Sequence, residues 1–142
     1  TGAGTGSGLA GAGTAGFFFL PLGISAWCYF FDPLVLIVDD PDATGGTTWD
    51  HWLLWNIDPK SQYISEDSIP FSAKQGTTSF GKTKYGGPCP PKGSQSHRYM
   101  FKLFALDTML NLESGATKEN LEKAMTGHIL EETVLTGLYV RQ

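Results

Sequence analysis

The sequence predicts an all-β fold, a β-sandwich with one or two short helices. Three observations carry this. Strand-length apolar runs recur as LVLIV, HWLLWNID and HRYMFKLFALD. One segment alone, TKENLEKAMTGHIL, has good helical spacing. No strand–helix repeat of the kind that builds a parallel sheet is present.

Taken in order, the chain opens on TGAGTGSGLAGAGTAG, residues 1–16, an atypical Gly/Ala/Thr-rich terminus with nothing to fill a core. No strand precedes its glycines and no GK[ST] closes them, so a phosphate-loop reading fails. FFFLPLGISAWCYFF follows. Pro21 and Gly23 interrupt it and no basic residue precedes it, so a packed strand and turn is expected rather than a signal or membrane span. The branched run from Pro33 to Asp39 predicts a strand buried on both faces, ended by DPDATGG. Residues 51–58 predict a central strand. Residues 59–96 form a connection too long for a simple loop, with short strands expected near 63–65 and 72–75 and a binding role suspected. Residues 97–107 give the clearest strand. His97, Tyr99, Phe101, Leu103 and Ala105 share one face, and Arg98, Met100, Lys102, Phe104 and Leu106 the other. Thr117 is placed to cap the helix, Leu121, Ala124 and Met125 form its apolar stripe, and Gly127 stops it. EETVLTGLYVRQ ends the chain as a strand.

The 142 residues, 41% of them hydrophobic, suit a single domain over 1–142. A net charge of -4 gives no attraction for a phosphate backbone or an anionic membrane surface, so nucleic acid is excluded as a general partner. Cys28 and Cys89 are expected to be buried thiols rather than a disulfide framework.

The chemistry gathers at IVDDPDATGG. Pro41 biases Asp40 to an extended conformation, which would send Asp40 and Asp42 to one side and Asp39 to the other, toward turn or solvent. Two such carboxylates need a cation, a hydrogen-bond donor or a shared proton between them. The plainer alternative is an aspartate capping its own turn. If the strands starting at 51 and 97 neighbour this end, His51, His97, Tyr99, Asp40 and Asp42 meet at one rim. Histidine and tyrosine would donate to an anion there, with the aspartates orienting the rings. YGGPCPPKG, 85–93, would form a wall. Its glycines permit close approach, and the N–H groups of Gly86, Gly87 and Cys89 are free to face an anion. A rigid surface turn is the competing reading. The same His and Asp residues could instead serve acid–base or metal chemistry, although no metal or nucleophile motif supports either.

These motifs carry a resemblance. IVDDPDA (37–43), HWLLWNI (51–57), FGKTKYGGPCPPKG (80–93), HRYMFKLFALD (97–107) and GATKENLEKAMTGHIL (115–130) are similar, in order, to the phosphatidylethanolamine-binding protein family, in its short bacterial and archaeal YbhB/YbcL-like branch. The resemblance covers 34–142. It implies a Greek-key β-sandwich with a small anion pocket for phosphate-like groups, formed here by Asp40, Asp42, His51, Gly87, Pro90, His97 and Tyr99. Pro90 comes from the resemblance alone. It further implies a non-catalytic, cytoplasmic protein without cofactor or catalytic residue, binding a small anion or phosphorylated headgroup, with a regulatory role like that of kinase or protease inhibitors. A protein partner and a homodimer are left open. Family members usually read DPDAP, where this chain has Thr44. GISAW, 23–27, is a worn echo of the family's NxSPxLxW.

Overall fold

The computed structural model describes residues 32–142. The expectations for the Gly-rich terminus, the apolar segment before Asp32, GISAW and Cys28 lie outside these residues. Five strands form one antiparallel sheet. They are β1 (Leu34–Asp40), β2 (Trp49–Ile57), β3 (Lys74–Gln75), β4 (His97–Leu106) and β5 (Ile129–Tyr139), in the order β3-β2-β1-β4-β5. One helix, α1 (Lys118–Met125), precedes β5. Among the described residues this is a mixed α/β arrangement dominated by one antiparallel sheet, as the β-rich expectation has it, with a helix on it. Helix and loop cover one face of the described sheet.

Alternation along β1 assigns the two faces. Val35 and Ile37 point to the helix side, where they pack with Leu53, Trp55, Leu106, Leu110, Leu121 and Met125. Leu34 points the other way, with Leu54, Ile57, Ala73 and Ala105. β1 is thus apolar on both faces, as its unbroken run predicted. β4 alternates as expected: Phe104 and Leu106 pack in the first cluster, Leu103 and Ala105 in the second.

The helix starts where the capping residues say it should. Thr117 accepts from the Asn120 N–H, and Asn120 returns a bond to the Thr117 backbone. Leu121 and Met125 are its buried positions, each contributing roughly 2–3 kcal/mol of apolar burial. Gly127 follows at φ 83°, a conformation glycine adopts freely. Of the short strands expected in the 59–96 connection, two residues pair, Lys74 and Gln75 with Trp55 and Leu54. The rest is held by discrete bonds. Gly76 passes so close to β2 that an added Cβ would lie 2.7 Å from the Ala116 carbonyl oxygen and 2.9 Å from the Leu53 Cβ.

Two irregularities shape β2. Asn56 lies at φ 58° and is buried. Its amide donates to the Leu110 carbonyl at 2.9 Å and its Oδ1 accepts from the Leu110 N–H at 2.8 Å, tying the 107–117 segment to the sheet. The second is a β-bulge. Val38 pairs with Trp52 while Asp39 pairs with Asp50, leaving His51 as the extra residue.

Candidate functional site

The bulge decides which side His51 serves. Leu53, two residues on, lies in the helix-side cluster, so unbroken alternation would aim His51 there too. The extra residue breaks that phase. Asp50 joins Asp39 on the helix side, where Lys118 bridges them at 2.9 and 2.7 Å. His51 lines a cavity on the other side, with Asp40 from β1, His97 and Tyr99 from β4, Trp49, Phe80 and the 89–91 segment.

This cavity has a volume of about 240 Å³. It falls below the usual size of drug-like pockets and suits a small ligand. Asp40, His51 and His97 are only 3, 4 and 5% exposed. A larger depression of about 620 Å³ beside the 64–69 loop is lined by Trp52, Lys84 and Tyr85 but by no histidine.

Each buried histidine is fixed through Nδ1. His97 Nδ1 donates to Asp40 Oδ2 at 2.8 Å. The other oxygen of Asp40 accepts from the Asp42 N–H at 2.8 Å, so the aspartate both caps its own turn and holds a ring. His51 Nδ1 donates to the Gly86 carbonyl at 2.7 Å, and the Gly86 N–H donates back to the His51 carbonyl at 2.9 Å. An added Cβ at Gly86 would collide with the Phe80 ring. Phe80 and Tyr99 each meet the His51 imidazole edge-on, at centroid distances of 5.4 and 5.1 Å. Burial, followed by the neighbouring Asp40 carboxylate, pushes the Tyr99 hydroxyl up to about 12, so it stays protonated, set against that carboxylate and the Cys89 backbone.

Asp40, His51, Pro90, His97 and Tyr99 thus come together, and Asp42 and Gly87 do not line the cavity. Asp42 turns to Arg98, whose backbone N–H and Nε reach Oδ2 at 2.9 and 2.8 Å and whose Nη2 reaches Oδ1 at 2.7 Å. These bonds hold its carboxyl well below the usual carboxylate range. The chain turns at Pro41 instead of staying extended, so Asp40 and Asp42 part company. Gly87 has open space around it. The Gly86 N–H is committed to His51 and is not free for an anion.

Asp39 is a second correction. It faces neither turn nor solvent but is fully buried on the helix side, bound by Lys102 and Lys118 at 2.7 Å each. For Lys118, burial works against the charge, yet the bonds to Asp39 and Asp50 outweigh it and raise its pKa. Cys89, expected to be a buried thiol, is exposed, and Arg141 Nη1 approaches its sulfur at 3.5 Å. Among the described residues, no three His, Cys, Asp or Glu side chains are grouped as metal ligands.

Sequence reasoning missed Trp49 and Phe80 as cavity walls. Their signal was faint: two aromatics flanking the motifs, meeting edge-on at 5.5 Å.

A family model described as phosphatidylethanolamine-binding protein matches residues 23–140. The chain belongs to the phosphatidylethanolamine-binding protein family. A UPF0098 protein of Pyrococcus abyssi is 50% identical over 115 residues, which is 77% of this chain and 64% of that protein. One from Pyrococcus horikoshii is 48% identical over 115 residues, 77% of this chain and 58% of its own length. The chain therefore spans about three-fifths of these two relatives. Among solved structures, a phosphatidylethanolamine-binding protein homolog of Chlamydia trachomatis superposes with a TM-score of 0.73 at 40% identity, covering 79% of this chain and 74% of that one. Escherichia coli YbcL, at 29% identity, gives 0.72 and covers 79% and 73%. Ligand binding is thus the family-level expectation for this phosphatidylethanolamine-binding protein relative.

Proposed function

We propose that this protein binds a small oxyanion, free or as a phosphorylated headgroup, in the cavity between Asp40, His51, Pro90, His97 and Tyr99, without catalysing its conversion. One observation carries the reading: two buried imidazoles, each locked through Nδ1, line one small cavity beside a protonated phenol. Such pre-set rings lose little freedom on binding, the economy that favours a built site. Asp42 supports it from behind by fixing the start of β4 through Arg98, and Gly87 leaves the wall room to approach a ligand. Membership of the family supports the same reading. A regulatory role resembling kinase or protease inhibition rests on that kinship, with the cavity mouth as the surface offered to a partner.

The fold proposal goes with it. The apolar side chains left exposed on one face of β5, Val134 at 46% and Leu138 at 72%, favour a further layer or a second copy against the sheet, as a Greek-key sandwich or a homodimer would supply. Residues 1–142 then act as one domain.

Calorimetric titration with inorganic phosphate tests the binding reading. His97→Ala is expected to weaken phosphate at least about tenfold, the loss of one bond to a charged group. Unchanged affinity in a folded variant would remove the cavity from the account.

A further inference from the structure

We infer that the cavity selects oxyacids that carry a proton, because its two histidines present acceptors rather than donors to the ligand. This rests on the anion-binding reading above. The Gly86 carbonyl and the Asp40 carboxylate can only accept, so Nδ1 carries the hydrogen in both rings. In a neutral imidazole the remaining nitrogen, Nε2, is then a bare lone pair. Among the described residues, both rings bond through Nδ1, so Nε2 is the nitrogen available to a ligand.

The rest of the cavity does not reverse this balance. Asp40 adds a buried carboxylate, and the Tyr99 hydroxyl is already set against it. The titratable and charged groups facing the rings come from every neighbouring element. Asp40 comes from β1, and Asp42 with its partner Arg98 from the following turn and β4. Tyr99 also comes from β4 and meets Tyr139 of β5, while Cys89 comes from the loop with Arg141 on its sulfur. Asp50, beside His51 in sequence, is turned away to Lys118. Arg98 is spent on Asp42, and Arg141 is turned to the Cys89 sulfur.

A bare anion therefore meets lone pairs at both Nε2 positions. Each contact becomes attractive only with a proton in it, supplied by the ligand or taken up by the ring. Hydrogen phosphate brings a P–O–H, and a phosphate monoester, with its second pKa near 6, readily takes one up. Sulfate has the same shape and the same double charge at pH 8 but holds no proton. A ring that takes up a proton supplies it instead.

The test uses the unaltered protein with inorganic phosphate and sulfate as probes, titrated by calorimetry from pH 5.5 to 8.5 at constant ionic strength. The expected result at pH 8 is at least about tenfold tighter binding of phosphate. The gap should narrow as the pH is lowered to 5.5, since a proton taken up by a ring replaces the one that sulfate lacks. Side-chain nitrogen NMR should show Nδ1–H tautomers in the free protein at pH 8. Equal affinities at pH 8, or a gap that does not move with pH, overturn the inference and leave the anion site standing. Failure of both ions to bind at any pH overturns the anion site and this inference with it.

Discussion

Single side chains at the DDPD turn divide the labour. Asp39 is a buried charge with two ammonium partners, and its Oδ1 has no hydrogen-bond partner. Asp39→Asn is expected to cost about 3 kcal/mol, since it leaves Lys102 without its carboxylate and Lys118 with Asp50 alone in a partly dry setting. A lowered urea midpoint with unchanged slope checks this. Asp42 behaves differently because its pKa is depressed in the fold by Arg98. A depressed carboxylate contributes stability above its unfolded value, near 3.9, and loses it as pH falls through the folded one. Asp42→Asn should therefore be less stable than the parent at pH 5, with the difference shrinking toward pH 2 in denaturation curves. Some of this was legible in the sequence. Asp40 and Asp42 lie two apart, and Pro41 pointed to a special geometry. What the letters lacked was Arg98 and the two lysines, which only the pairing of β1 with β4 and the docking of α1 bring near.

The strands and loops show where sequence reading succeeds and where it stops. β4 was legible because its alternation is unbroken from His97 to Ala105 and each face finds a uniform environment. β2 was legible as a strand but not in phase. A bulge arises from how two strands match, and nothing within WDHWLLW announces it. The 85–93 loop was recognised as a wall, yet its roles were exchanged. Gly86 is the crowded glycine that clasps His51, and Gly87 is the open one. Gly86→Ala should push the Phe80 ring off His51 and loosen the cavity. Phosphate affinity should then drop severalfold while β-sheet circular dichroism stays intact. Retained affinity would show that the clasp is not needed for binding.

At the scale of the whole molecule, the sheet buries its centre and, among the described residues, leaves β5 as an edge. β5 is eleven residues long, and Ile129, Leu130, Val134, Leu135 and Leu138 are exposed on it. Long apolar edges invite pairing with another chain, and a lysine on the edge suppresses it. Val134→Lys should shift sedimentation velocity profiles toward the monomer at high protein concentration. Identical profiles would mean that β5 does not mediate association. The candidate site lies where β1, β2 and β4 meet, away from the free edges of the sheet. The extra residue in β2 also has a meaning for how such a site changes over generations. A one-codon deletion near position 50 would swing His51 toward the helix and leave Trp52 to Ile57 in place. Loss of the cavity's second imidazole is thus a single indel away, without any change to a residue in the core.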